Sequence, residues 1–221
     1  MAVPFVSIII PHYNGINILA ECLKSLADCD YPNLEIILVD NGSEDQSVKM
    51  VRSDFPDVKI IESKKNLGYA GGCNLGAAAA ASPYLLFLNN DTVQHPDWLS
   101  PLVETMETDP DISSVQPRIR NYNQQEYFDY AGAAGGKMDI LVFPFARGRI
   151  FDTVEKDEGQ YDDRREIFWA SGTAFITRRE DFEEIGRSCH TLVGEIAGSA
   201  FAWGAGGGGR NAPGGAETAV L

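Results

Sequence analysis

The 221-residue chain is poor in basic side chains: 18 Lys and Arg stand against 32 Asp and Glu, a formal net charge of −14. Nucleic-acid backbones are held by clustered Lys and Arg, so that class of partner is excluded. An acidic chain can still hold an anionic nucleotide when a divalent cation neutralises the phosphates. Cysteine is scarce as well. Cys22, Cys29, Cys73 and Cys189 form no C-x-x-C pair, and no Cys/His cluster has zinc spacing. Scattered thiols without a framework fit a reducing cytoplasm. No basic segment followed by an apolar one opens the chain, so no signal peptide is read. No apolar run approaches the length of a membrane span. The phosphate-binding motif G-x-x-x-x-G-K-[ST] is absent. Gly68, Gly71, Gly72 and Gly76 do not fit G-x-G-x-x-G, and they follow the third apolar segment instead of the first. Apart from His12, the first basic side chain is Lys24, so the first loop lacks the cations that would grip a triphosphate.

What is present is an ordinary globular balance, 44% hydrophobic and 23% charged. The length allows one good-sized core, with room for a small second lobe. Residues 5–10 are strongly β-prone and stopped by Pro11. Leu19, Cys22, Leu23 and Leu26 recur at helical spacing. Residues 34–39 predict a second strand, and Ser43 a cap for a helix over 44–54. A shorter strand is expected at 58–61. The glycine-rich residues 66–76 lead into Ala77–Ala81, a small-residue helix able to pack closely on a sheet. Residues 84–88 are apolar throughout, as in a strand buried on both faces. A helix beginning at Pro96 turns Leu99, Leu102, Val103 and Met106 inward, and a strand at 112–115 ends at Pro117. Strand–helix alternation with short connections predicts a mostly parallel α/β sheet with helices on both faces.

The pattern loosens over 121–166, where aromatics, glycines and charges mix in a long loop or small hairpin region. Residues 167–177 read as a strand-like run interrupted at Ser171-Gly172, followed by a short helix that Gly186 caps. Beyond residue 186 periodicity disappears, and composition predicts an irregular tail with low order over the last ~15 residues. The expected organisation is therefore a ligand-binding half over 1–120, a second segment over 121–186, and an atypical tail over 187–221.

Four strand ends carry polar or glycine residues: Tyr13-Asn14-Gly15, Asp40-Asn41-Gly42, Asn66 with Gly68, and Asn89-Asn90-Asp91. In a parallel sheet these tips share one edge, where ligands bind. Loops are polar anyway, so each tip alone reads equally well as turn chemistry. The pair Asp40 and Asp91 asks for more, because each carboxylate follows an apolar run with no flanking Lys or Arg. Two acidic tips on one crevice point to a ligand rich in hydrogen-bond donors, or one held through a metal. Asn41-Gly42-Ser43 and Asn90-Asp91-Thr92 match the glycosylation pattern, but their place in this crevice marks them as chance matches.

These segments, with Trp169-Ala170-Ser171-Gly172-Thr173-Ala174-Phe175, resemble the family-2 glycosyltransferases of the GT-A fold, and most closely a rhamnosyltransferase-like bacterial branch. The resemblance covers about residues 3–186. It implies an inverting transfer of a sugar from a UDP- or dTDP-linked donor to a glycan or lipid-linked acceptor. It implies that Pro11, Tyr13 and Asn14 line the nucleobase and ribose and that Asp40 bonds the base. Asn66, Gly68, Ala70 and Gly71 would close around the nucleotide, beside Asn89 and Asn90. Asp91 would bind a Mg²⁺ or Mn²⁺ bridging the diphosphate, and Trp169, Ser171, Gly172 and Thr173 would border the donor sugar and acceptor. The implied setting is polysaccharide biosynthesis in the cytoplasm, at most peripherally attached to the inner face of the membrane. The resemblance fails at one place. Family members carry a general base in an F-D-E-like stretch after the position of Gly186, whereas Glu195 and Glu217 are the only carboxylate side chains there and neither has that context. No base is carried over, and a frameshifted tail is the expectation, testable by reading the coding DNA in its other frames. The alternatives are a nucleotide-sugar-binding module without turnover and, ranked lower, a nucleotidylyltransferase.

Overall fold

The structure, a computed structural model, describes residues 2–185 and the strand at 217–220. Strands β1 (Val6–His12), β2 (Leu34–Asp40), β3 (Lys59–Glu62) and β4 (Tyr84–Leu88) alternate with helices α1 (Ile16–Ala27), α2 (Ser47–Asp54) and α3 (Gly68–Ala79). Helix α4 (Leu99–Thr108) and strand β5 (Ile112–Gln116) follow. The parallel ladder runs β4-β1-β2-β3, with Val6 opposite both Leu34 and Tyr84. Side chains alternate across it. Ile8, Ile10, Leu38, Leu86 and Leu88 face one core with Leu19 and Leu23 of α1 and Leu102 and Met106 of α4. Ile9, Ile37, Val39, Leu85 and Phe87 face the other, with Cys73 and Ala77 of α3.

Pro11 does not stop β1 but lies inside it, opposite Val39. Val6 N–H bonds Asn33 O and His12 O accepts from Asn41 N–H, so even-numbered residues bond toward β2. Alternation turns Pro11 toward β4, where the ladder has already ended at Ile9 and Phe87. The missing N–H falls where no partner is needed. α2 begins at Ser47 and Ser43 is not its cap, because Ser43 Oγ accepts the Asn14 N–H instead.

α3 packs closely on the sheet as expected, but it begins at Gly68 and ends at Ala79, so the glycine-rich stretch is the helix itself and not its entry. A Cβ on Gly76 would collide with Ile9 Cγ2 and lie 3.0 Å from Val39 Cγ2, and one on Gly72 would lie 2.8 Å from Pro11 Cβ. Only glycine lets this helix approach β1 and β2 so closely.

The second half departs from simple alternation. β10 (Ala174–Arg178) inserts antiparallel between β4 and β5, pairing Phe175 with Phe87 and Ile176 with Val115. Only that part of the expected 167–177 run is strand. α5 (Arg179–Glu184) follows, and the proposed Gly186 cap lies outside the described residues. Within 121–166 a separate meander forms from β6 (Gly136–Met138), β7 (Pro144–Ala146), β8 (Arg149–Ile150) and β9 (Thr153–Val154). Of the tail, β11 (Glu217–Val220) runs parallel to β5, and the rest, with Cys189, lies outside the described residues.

Candidate functional site

The carboxyl ends of β1, β2 and β4 meet the start of α3, and hydrogen bonds tie the tips together. Asn14 sits in the left-handed region at φ 54, a conformation Asn tolerates better than most residues. Its N–H donates to Ser43 Oγ at 2.9 Å, and its Oδ1 accepts from Glu44 N–H at 2.9 Å. Asp40 is buried, and its carboxylate accepts from the Gly42 and Ser43 amides at 3.2 Å. Asn41 Nδ2 donates to Gly68 O at 3.3 Å, linking β2 to α3. Asn66 Oδ1 accepts from Gly68 N–H at 2.8 Å and fixes the entry to that helix. Ala70 and Gly71 are buried in its first turn, whereas Tyr13 is half exposed. Across the β1–β4 junction Asn90 Nδ2 lies 2.8 Å from His12 Nδ1. Burial holds the His12 imidazole below its ordinary value, and Asp45 and Asp40 pull it partly back.

Asp91 stands exposed at the end of β4. Beyond it opens a groove of about 520 Å³ whose wall includes Asn89, Asp91, Trp98, Arg118, Tyr122 and Thr173. Asp91 and Asn89 thus border two spaces, the cluster of strand tips on one side and the groove on the other. The groove wall is braced by ion pairs: Asp157 meets Arg118 at 3.3 Å and Arg120 at 2.6 Å, and Arg118 also reaches Asp162.

The 169–173 segment closes the site from the β10 side. Thr173 O accepts the Asn89 N–H at 2.9 Å. Ser171 and Thr173 are buried, and both hydroxyls donate to Ala131 O, at 2.6 and 3.1 Å. These hydroxyls therefore shape the wall. The indole of Trp169 lies against Gly136, where a Cβ would overlap it. Gly172 O accepts from the Tyr69 hydroxyl, which binds α3 to this segment.

Two participants, Asp45 and Gln116, escaped the sequence reading. Asp45 Oδ2 accepts the Gly15 and Ile16 amides at 2.8 and 3.2 Å, and its Oδ1 accepts Ser47 N–H at 2.9 Å. Gln116, fully buried, donates to Gly132 O and accepts from Ser171 N–H. Tyr69 and His12 lie within the stretches 66–71 and 11–14 that the resemblance gives to the nucleotide, and the structure adds their partners, Gly172 O and Asn90. Only Asp45 left a local trace, two residues before the start of α2 in a helix-entry position. The other contacts join residues far apart in the chain.

Cys22 and Cys73 are poorly placed to act as nucleophiles. Burial pushes Cys22 and Cys73 up to about 12, far from the thiolate form at neutral pH. Among the described residues no group of three or more His, Cys, Asp or Glu side chains is placed to hold a metal. Mg²⁺ commonly takes one or two carboxylates and fills its shell with substrate phosphates and water. Exposed Asp91 fits that role of a single protein ligand to a cation that arrives with a diphosphate.

Glycosyl transferase family 2 matches residues 7–186. A poly-β-1,6-N-acetyl-D-glucosamine synthase from Staphylococcus epidermidis is 31% identical over 121 residues, covering 52% of this chain and 29% of that protein. Glycosyltransferase AglE from Haloferax volcanii is 32% identical over 108 residues, covering 47% of this chain and 36% of that protein. This chain thus spans about a third of the length of such relatives. The solved mannosyltransferase PcManGT from Pyrobaculum calidifontis, in complex with GDP-Man and Mn²⁺, superposes with a TM-score of 0.58 at 19% identity, over 85% of this chain and 48% of that one. TarS 1-349 of S. aureus in complex with UDP gives 0.57 at 19% identity, over 81% and 48%. These likenesses establish the GT-A fold, and with the family match spanning most of its length, the chain belongs to glycosyl transferase family 2.

Proposed function

We propose that this chain binds a UDP- or dTDP-linked sugar and transfers the sugar, with inversion, to a glycan or lipid-linked acceptor, as in the rhamnosyltransferase-like branch. The carrying observation is the hydrogen-bonded convergence of the β1, β2 and β4 tips on the α3 start, with exposed Asp91 between that cluster and the groove. Residues 1–120 act as the donor half and 121–186 as the acceptor side. Pro11, Tyr13 and Asn14 line the base and ribose, and Asp40, already held by two amides, offers its remaining lone pairs to the base. Asn66, Gly68, Ala70 and Gly71 border the nucleotide, with Asn89 and Asn90 at the diphosphate end. Asp91 would hold a Mg²⁺ or Mn²⁺, whose chemistry there is to neutralise the diphosphate leaving group. Trp169, Ser171, Gly172 and Thr173 form the wall between sugar and acceptor, and the groove receives the acceptor. Among the described residues no helix is long and apolar enough to cross a membrane. The reading places work on a lipid-linked acceptor in the cytoplasm, at the inner face of the membrane, as the family resemblance implies.

A second reading has its own support. The family match ends at residue 186, where the base-bearing stretch would begin, so the chain also suits a donor-binding module that holds the nucleotide sugar without turnover. Titration calorimetry with UDP-, dTDP- and GDP-sugars, with and without Mn²⁺, tests both. Metal-dependent binding of one donor is expected. Binding of none removes the transferase and module readings together, whereas binding without sugar transfer to any acceptor selects the module.

A further inference from the structure

The meander over 136–154 carries an apolar surface that neither core explains. Its antiparallel order places the turn between β6 and β7 and the turn between β8 and β9 at the same end of the sheet. Ile140, Leu141, Val142 and Phe143 in the first turn are 97%, 71%, 68% and 66% exposed, and Phe151 in the second is 89% exposed. Ile150 and Phe145, one step down, are 63% and 44% exposed. Single exposed apolar residues need no explanation, but a contiguous set of this size marks an interaction surface.

We propose that these two turns insert into the interfacial layer of a lipid bilayer. The pairing rows set out a depth order. Both turns form the tip, the Met138–Pro144 pair closes the first turn, Lys137, Phe145, Ile150 and Thr153 share the row behind it, and Arg149 lies in the row beyond with Gly136, Ala146 and Val154. Arg149 stacks over the half-exposed Tyr130 ring at 4.1 Å. Aliphatic and Phe side chains at the tip, then cations and a tyrosine behind them, match the sequence of acyl chains, phosphates and water. The shape agrees, because two protruding turns enter a fluid layer without a matching groove, whereas a protein partner needs a complementary surface. The Asp139 carboxylate accepts the Leu141 and Phe143 amides at 2.8 and 2.9 Å, so it serves the first turn from within. Asp152 is the remaining tip carboxylate and limits the insertion to a shallow one.

The meander also adjoins the groove. Arg149 Nη1 donates to Tyr130 O at 2.7 Å, between the groove residues Asp129 and Ala131. Seated on a bilayer, this edge of the groove lies beside the headgroups, which suits an acceptor anchored in lipid. That consequence rests on the transferase reading; the membrane contact itself does not.

The test is sedimentation of the full chain with vesicles of phosphatidylcholine, alone and mixed with phosphatidylglycerol, without donor or acceptor. Co-sedimentation with both is expected, weakened about tenfold or more when Ile140, Leu141 and Phe151 are changed together to Ser. Ile18→Ser removes an exposed apolar residue on α1, away from the meander, and should leave binding unchanged. In a separate variant, Leu141→Trp, indole emission should shift to the blue on vesicle addition. Failure to sediment with either vesicle, equal binding by the triple Ser variant, or a lipid-free dimer that this variant abolishes would overturn the proposal. Because donor calorimetry is a separate measurement, failure here leaves the nucleotide-sugar site standing, and the converse holds.

Discussion

Replacing Asp45 by Ala removes one carboxylate that serves two helix starts. In the folded chain its oxygens accept three amide donors, Gly15 and Ile16 at the entry of α1 and Ser47 at the entry of α2. Loss of a helix-entry acceptor costs about 0.5–2 kcal/mol, and three donors without a partner place Asp45 in the upper part of that range. The loop is partly solvated, so water recovers some of the loss, and about 1–2 kcal/mol remains. For a chain of this size that lowers Tm by about 2–8 °C. The effect has a definite pH dependence. Burial alone would raise the Asp45 carboxyl, but the bonds from Ser47, Gly15 and Ile16 outweigh it and hold it below the ordinary carboxylate value. A depressed folded value means the stabilisation is complete above the unfolded value, near 4, and fades as pH falls through the folded one. Melting curves of both proteins at neutral pH and at steps down to about pH 3 read this directly. The gap in Tm should hold constant from neutral pH to about pH 5 and then close, since other carboxylates act on both proteins alike. No gap at neutral pH, or one that persists undiminished in acid, refutes the reasoning. The same variant should bind the nucleotide sugar more weakly, because Asp45 steadies the loop that carries Tyr13 and Asn14.

Three further outcomes are expected. Gly76→Ala should gain up to about 1 kcal/mol of helix propensity yet lower stability by about 1–2 kcal/mol net, because the added methyl meets Ile9 and Val39 on fixed, fully buried strands; the exposed Ala78→Gly is the propensity control, and denaturant midpoints decide. Tyr69→Phe leaves the Gly172 carbonyl without its side-chain donor and should cost about 1–3 kcal/mol, read by chemical denaturation, with faster amide exchange around 169–173. Asp91→Ala should keep the wild-type Tm, since the side chain is exposed, while abolishing the Mn²⁺-dependent part of donor binding in calorimetry; chelation of the metal should reproduce that loss in the wild type.

Local chemistry made much of this protein readable before folding is considered. Residues 84–88 are apolar at every position, and β4 is buried at every position. The heptad-like spacing of Leu19, Cys22, Leu23 and Leu26 is the buried face of α1, and the glycines and alanines of 68–79 are the close-packed helix. The tips at Asn14, Asp40, Asn66 and Asn89 to Asp91 were legible because polar and turn-forming residues follow the strands; Asp40 nevertheless stays buried, with its carboxylate met by the Gly42 and Ser43 amides. Partners distant in the chain were not legible. β10 slips antiparallel between β4 and β5 because pairing across about ninety residues is settled by packing against Phe87 and Val115, for which no short motif exists. The resemblance has Ser171 and Thr173 border the donor sugar and acceptor, and only the fold shows that their hydroxyls are held by Ala131 O. Asp45 and Tyr69 acquire their roles only when separate loops come together. Periodicity and turn chemistry thus determined most of the elements and the edge where the candidate site lies, because they act within a few residues. Register, the second sheet and the bracing of the site were decided by the tertiary structure, where burial leaves polar groups no alternative to the partner the fold provides.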